Sequence, residues 1–211
     1  LARPEIGLAG AGIALWIAIA RGRTWPATLR LRSLALFLGL AAVCTMTATL
    51  HNYHAERDWV PVSYNGGVNF YLGNNAHYDQ TVNARPYFEW RRLARQPVEH
   101  GIIGASAQSA WFFQQSIAWM ATHPFDAVHL WARKLGLSLR GREVMRNEDL
   151  YAARGDSAVL AALLWVKGVA VPFGVIAPLA AIGLWVGRRQ RREGPLLWLT
   201  ALAALVTCVA F

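Results

Sequence analysis

The chain has 211 residues, of which 55% are apolar, and it carries a formal net charge of +9. The excess positive charge lies in arginine clusters beside apolar runs, which argues against nucleic acid as a partner and for a membrane. Both cysteines, Cys44 and Cys208, fall inside apolar runs, a pattern that supports neither a disulfide scaffold nor a metal site.

Four apolar runs define the predicted membrane architecture. A membrane-spanning helix needs about 20 apolar residues, so each run predicts one transmembrane helix. We expect an integral membrane fold, mostly α, with about four transmembrane helices of which the first and last are truncated in a C-terminal-half fragment. The runs cover residues 6–20, 34–50, 158–186 and 195–211.

The arginines predict the orientation of these helices. Lys and Arg are enriched in cytoplasmic loops, so the basic links at 21–33 and 187–194 are expected to face the cytoplasm. Residues 1–50 then form two transmembrane helices, 51–157 form an external loop domain, and 158–211 form two further helices. In a bacterium this places a multi-pass protein in the inner membrane, with residues 51–157 in the periplasm.

The external segment predicts an α+β loop domain. Residues 59–75 combine β-type residues with Asn-Gly and Gly-Asn turn signals, which favours a short strand, a turn and a second short strand. The run "ASAQSAWFFQQSIAWMATHP" predicts a helix that Ser106 would cap.

A second helix is predicted in "THPFDAVHLWARKLGLSLRGRE", with Pro124 in its first turn, where a missing amide costs nothing,. An apolar stripe runs along it, so the helix could lie along the membrane interface or under the external domain. The stripe comprises Phe125, Val128, Leu135 and Leu139.

The stretch "SYNGGVNFYLGNN", residues 63–75, is the candidate binding segment. Asn side chains present both hydrogen-bond donors and acceptors, which sugar hydroxyls require. Glycines allow close approach of a ligand, and the aromatic rings could stack on a sugar face. The alternative is a tight turn in which the Asn residues serve only the backbone conformation.

The same stretch resembles a signature of bacterial polytopic glycosyltransferases of the C-type fold, the superfamily of protein O-mannosyltransferases and aminoarabinose transferases. The segments "HPFDAVHLWARKLGLSLRGREVMRNEDLY" and "PFGVIAPLAAIGL" are also similar to the family's course, so the likeness covers about residues 50–211. The resemblance implies an enzyme that moves a sugar from a polyprenyl-phosphate donor to an acceptor at the outer membrane face. It also implies that the catalytic carboxylate lies in an earlier external loop, outside this sequence.

The resemblance assigns two groups of residues. It implies that the polar and aromatic residues of the motif bind the sugar and that the basic residues further along the chain contact the lipid phosphate. The alternative for the basic residues is attraction to anionic lipid head groups. The first group is Asn65, Asn69, Tyr71, Asn74 and Asn75; the second is Lys134, Arg133 and Arg142.

The expected partners are membrane lipids, the lipid-linked sugar donor and an acceptor that is a protein, a glycolipid or a glycan. No further cofactor and no metal is predicted. The competing hypothesis is a non-catalytic polytopic membrane protein, such as a carrier or an assembly subunit, with an external binding loop.

Overall fold

A computed structural model describes residues 5–19, 25–84, 87–140, 151–163, 173–187 and 194–210. These parts of the chain fold into α-helices, with a 3₁₀ helix at Ala152–Asp156 and no β-strand among them. The helices are α1 (Glu5–Ile19), α2 (Ala27–Glu56), α3 (Asn65–Gly73), α4 (Tyr78–Thr81), α5 (Phe88–Glu99), α6 (Ala105–Thr122), α7 (Pro124–Arg140), α8 (Ala158–Leu163), α9 (Phe173–Gly187) and α10 (Gly194–Ala210).

The predicted strands of the external segment are wrong, because residues 65–73 form helix α3. Close packing against α6 explains the difference. The backbone amide of Gly67, in the first turn of α3, donates a hydrogen bond to Ser109 Oγ at 3.1 Å. Tertiary contacts of this kind override the β propensity of Val, Phe and Tyr. The two helices predicted after this segment are confirmed as α6 and α7.

The predicted fold with four transmembrane helices is also wrong for the described part of the chain. There, only α2, with 30 residues, is long and apolar enough to cross a membrane, by length and composition. Helices α1 and α9 have 15 residues each and α10 has 17. The run at 158–186 is divided between α8 and α9, with 164–172 outside the described residues. Within the described residues, apolar composition alone therefore overestimated the number of helices that could span a membrane.

The link after α2 folds back on the last turns of that helix. Arg57 ends α2 in the left-handed conformation, with φ at 57°. Thr49 Oγ1 then donates to the carbonyl of Pro61 at 2.8 Å, and Asn52 Nδ2 donates to the carbonyl of Val60 at 2.9 Å. These bonds fix the start of the helical cluster α3–α7 at the C-terminal end of α2.

The core of this cluster is small and lies between α3, α5 and α6. It consists of Val68, Leu72, Leu93 and Phe112, with three aromatic side chains packed around it: Tyr71, Trp90 and Trp111. Helix α7 packs on α6 and on α10, and α10 packs on α1. The cluster is thereby connected to α10 through α7.

Helix α6 is capped by a different residue from the predicted Ser106. Ser106 lies inside the first turn, and its amide and hydroxyl both donate to the Asp58 carboxylate, at 2.7 and 2.6 Å. A carboxylate at a helix N-terminus satisfies unpaired amides and complements the helix dipole. These bonds hold the pKa of Asp58 below its ordinary value. The cap therefore comes from a residue 48 positions earlier in the chain.

Candidate functional site

A cleft of about 580 Å³ opens between α3 and α4 on one side and α5 on the other. Its volume falls within the range of about 300–1,000 Å³ that is typical of small-molecule sites. The lining comprises Tyr71, His77, Gln80, Thr81, Asn83, Ala84, Phe88, Glu89, Arg92, Leu93 and Gln96.

The lining is dominated by side chains that hydrogen-bond without carrying charge. Gln80, Asn83 and Gln96 each bring an amide that both donates and accepts,. The Nδ2 of Asn83 already donates to the carbonyl of Asp79 at 2.8 Å. Two aromatic rings, Tyr71 and Phe88, line the same cleft and provide apolar faces. A neutral ligand with many hydroxyl groups matches this combination.

Three ionisable side chains complete the lining, and they give the cleft both signs of charge. His77 lies beside α4, while Glu89 and Arg92 are separated by three positions on α5 and so share one side of that helix,. Arg92 presents a guanidinium that can bind an anionic substituent in two-pronged geometry. Glu89 contributes the carboxylate of the lining and can accept hydrogen bonds from hydroxyls.

One wall of the cleft is held in place by a buried hydrogen-bond network around Asn75. Its Nδ2 donates to the carbonyl of Tyr71 at 2.6 Å and to Thr81 Oγ1 at 2.9 Å, while its Oδ1 accepts from the His77 amide at 2.6 Å. Asn75 is 4% exposed. The turn between α3 and α4 is therefore built by Asn75, which positions His77 and the residues after it.

Asn74 has a structural position of the same kind. Its Nδ2 donates to the carbonyls of Phe70 and Ala210, at 2.9 and 2.6 Å, and its Oδ1 accepts from Trp131 Nε1 at 3.0 Å. The side chain is fully buried. This one amide thus joins α3, α7 and α10, and none of its hydrogen-bonding atoms faces the cleft.

The remaining predicted sugar-binding residues are distributed around α3. Tyr71 lines the cleft, packs its ring against Phe112, and has its pKa raised by burial. Asn65 lines a separate small cavity of about 90 Å³, and Asn69 is half-buried. Of the five predicted residues, the cleft therefore includes Tyr71 alone, and the sugar-binding roles assigned to all five stay predictions.

Sequence reasoning missed most of the cleft, because its amides are spread over separate elements. Gln80 lies in α4, Asn83 lies two residues after the end of that helix, and Gln96 is on the last turns of α5. A single signal was present in the sequence: the amides continue beyond the Asn-Gly motif, in "YDQTVN". The residues that α5 contributes to the cleft could not be predicted, because they depend on how α5 packs on α6 and on the core that Leu93 shares with α3.

The predicted phosphate-binding residues are engaged within the protein. Arg133 forms a two-pronged, exposed ion pair with Asp79, with nitrogen–oxygen distances of 3.0 and 2.6 Å. This pairing lowers the pKa of Asp79 and raises that of Arg133. An exposed ion pair contributes little to stability, so an incoming phosphate could replace the carboxylate at small cost.

Lys134 is buried next to α10. Its Nζ donates to the carbonyl of Val209 at 2.8 Å and lies 5.8 Å from the centre of the Tyr78 ring. Burial lowers its pKa to about 8, so the charged form of this amine is less favoured in the fold than in water. Arg142, the third predicted phosphate ligand, lies outside the described residues.

Within the part of the chain that the structure describes, no group of three or more His, Cys, Asp or Glu side chains could hold a metal ion. Comparisons with protein-family models, curated proteins and solved structures gave no match. The family resemblance of the sequence therefore stays a prediction, and the cleft is the feature from which function is argued.

Proposed function

We propose that this chain belongs to a membrane-associated glycosyltransferase that moves a sugar from a polyprenyl-phosphate donor to an acceptor. The observation that carries the proposal is the cleft between α3–α4 and α5, with its three amides and two aromatic rings. Sugars require donors and acceptors at close spacing together with an apolar surface for the ring, and the lining offers both.

The proposed reaction is a displacement at the anomeric carbon. An acceptor oxygen forms a bond to that carbon, the bond to the phosphate oxygen breaks, and the lipid phosphate leaves with the electron pair. The proton of the acceptor passes to a carboxylate base, which the family resemblance assigns to an earlier external loop. In this proposal the cleft holds the sugar, and Arg92 stabilises the negative charge that develops on the leaving phosphate.

Helix α2 supports the proposed location in the bacterial inner membrane. It is the described helix that is long enough to span a bilayer, and the bonds from Thr49 and Asn52 fix the helical cluster at its C-terminal end. A ligand in the cleft would then lie near a membrane surface, where a lipid-linked donor presents its sugar.

The test is a transfer assay on the full-length protein with polyprenyl-phosphate sugars and mixed acceptors. Gln80→Ala and Gln96→Ala each remove one amide of the cleft, while Gln114→Ala removes an exposed amide from α6 outside it. Loss of one hydrogen bond to a neutral group is worth about 0.5–1.5 kcal/mol, so we expect kcat/KM to fall about two- to tenfold in the first two variants. The Gln114 variant should match the wild type.

Two results would decide against the proposal. If the wild-type protein transfers no sugar but binds the donor, the non-catalytic carrier or assembly subunit becomes the better hypothesis. If the protein transfers sugar and all three Gln variants behave alike, transfer takes place at another site and the cleft loses its role.

A further inference from the structure

Helix α7 divides lengthwise into three sectors. One sector faces the protein and is buried: Ala127, Leu130 and Lys134 are each 7% exposed or less. The second sector is polar and exposed, with Asp126, His129 and Arg133. At 3.6 residues per turn, each of these sets keeps to one side of the helix.

The third sector is apolar and exposed, and it is named here the α7 stripe. It consists of Phe125, Val128, Ala132 and Leu135, at the i, i+3, i+7 and i+10 spacing of one helix face,. Phe125 is 89% exposed and Val128 is 59% exposed. The stripe predicted from the sequence, Phe125, Val128, Leu135 and Leu139, had two interpretations. The exposure of its first three members excludes packing beneath the described helical cluster, and the side chain of Leu139 lies outside the description.

Two helices that α7 contacts also expose apolar side chains. Helix α7 packs against α9 and α10, and both of these expose large apolar side chains, with Leu179 and Ile182 on α9 and Leu202 and Val206 on α10. Large exposed apolar patches are uncommon on soluble monomers and mark binding surfaces.

We infer that the α7 stripe lies in the interfacial layer of a lipid bilayer, with the polar sector of the helix facing water. A helix with one apolar and one charged face is suited to that layer, where its apolar side is buried about 5–10 Å deep. A bilayer is the surface that covers the stripe in this inference, because α2 is long enough to span one. The C-terminal end of α2 is also hydrogen-bonded to the segment that begins the same helical cluster. The inference uses the proposed membrane location and is independent of the transfer reaction.

The test places a fluorescent probe on the α7 stripe or on the polar sector in the full chain. The exposed cysteines Cys44 and Cys208 are first changed to Ser, and single cysteines are introduced as Val128→Cys or, as the matched control, Asp126→Cys. These positions lie about 160° apart around the helix at roughly 100° per residue. Both side chains are exposed, so neither change should disturb the fold. The labelled proteins are reconstituted in vesicles of phosphatidylcholine and phosphatidylglycerol.

The probe at position 128 should emit at shorter wavelength and lose roughly half of its emission to nitroxide-bearing lipids, while aqueous iodide should quench the probe at position 126. Equal iodide quenching at both positions would overturn the inference. Protection of position 128 from both quenchers would overturn it too, because a protein partner or a second copy would then cover the stripe.

Transfer activity is measured on the same vesicles. An active protein with an iodide-accessible stripe would refute the α7 inference alone, whereas a lipid-embedded stripe on a protein without transfer activity would refute the proposed function alone. If carbonate extracts the chain from vesicles, the chain is not inserted in the membrane, and the α7 inference loses the membrane location on which it depends.

Discussion

The adjacent glycines of the motif, Gly66 and Gly67, should respond very differently to alanine. A Cβ on Gly67 would lie 2.0 Å from the Ser109 carbonyl oxygen and within 2.8 Å of two further backbone atoms of that residue. A Cβ on Gly66 would meet the Phe113 ring at 3.8 Å, which is ordinary van der Waals contact. The two substitutions therefore add the same methyl group, one against a rigid backbone and one beside a ring.

The expected magnitudes follow from these contacts. Overpacking typically costs about 1–3 kcal/mol, and separating α3 from α6 also weakens the bond from the Gly67 amide to Ser109, worth about 1 kcal/mol. Replacing a helical glycine by alanine stabilises the helix by roughly 0.5–1 kcal/mol. We expect Gly67→Ala to lower the free energy of unfolding by about 1–3 kcal/mol. Gly66→Ala should leave it unchanged or raise it by up to about 1 kcal/mol.

Thermal or denaturant unfolding of the full-length protein, followed by tryptophan fluorescence, measures both variants. For a chain of this size about 1 kcal/mol corresponds to roughly 2–4 °C in Tm. Equal midpoints for Gly66→Ala and Gly67→Ala would refute the close approach of α3 to α6. That result would also reopen the turn interpretation of the motif, because a glycine needed only for a turn has no backbone pressed against it.

Three further predictions concern buried or capping groups. Asn74→Ala should lower the free energy of unfolding by about 1–3 kcal/mol, since it leaves the Trp131 indole N–H unpaired. The control Asn83→Ala, at an exposed position, should lower it by less than about 0.5 kcal/mol. Equal losses would contradict the role of Asn74 as a buried hydrogen-bonding group. The pKa of Asp58 is lowered in the fold. Its contribution to the free energy of unfolding is therefore present above its ordinary pKa of 3.8 and is lost as pH falls through the folded value. Acid titrations of Asp58→Asn should lack that part of the unfolding transition. The pKa of Lys134 is lowered to about 8 in the fold from its ordinary value of 10.5. Between these two pH values the unfolded chain binds more protons at this amine than the folded chain does, so the free energy of unfolding rises with pH. Lys134→Met should remove that rise in unfolding measurements made across the interval, and an unchanged slope would show that the amine is solvated.

The sequence predicted helices where apolar periodicity extended over many residues, as in α6 and α7. It failed where local signals were strong and short. The Asn-Gly pair and the β-type residues of 59–75 indicated strands, but Gly67 serves the contact with Ser109, and no local pattern reveals a partner 42 residues away. The capping of α6 by Asp58 is equally non-local. Hydropathy gave the apolar runs but not the helix lengths, which decide whether a run can span.

The candidate site illustrates a second limit. An Asn-rich motif predicts ligand contacts and turn-forming bonds equally well, since the same amide chemistry serves both. Burial separates the two roles: Asn74 and Asn75 satisfy backbone groups in the interior, whereas the exposed amides of Gln80 and Asn83 lie on the cleft. The motif thus acts on the site indirectly. By fixing the turn after α3, Asn75 sets the position of α4, and α4 carries the polar wall that a sugar would contact. Asn75→Ala is accordingly expected to disturb stability and sugar transfer together, while Gln80→Ala should affect transfer at unchanged Tm, and this difference separates a residue that builds the cleft from one that binds in it.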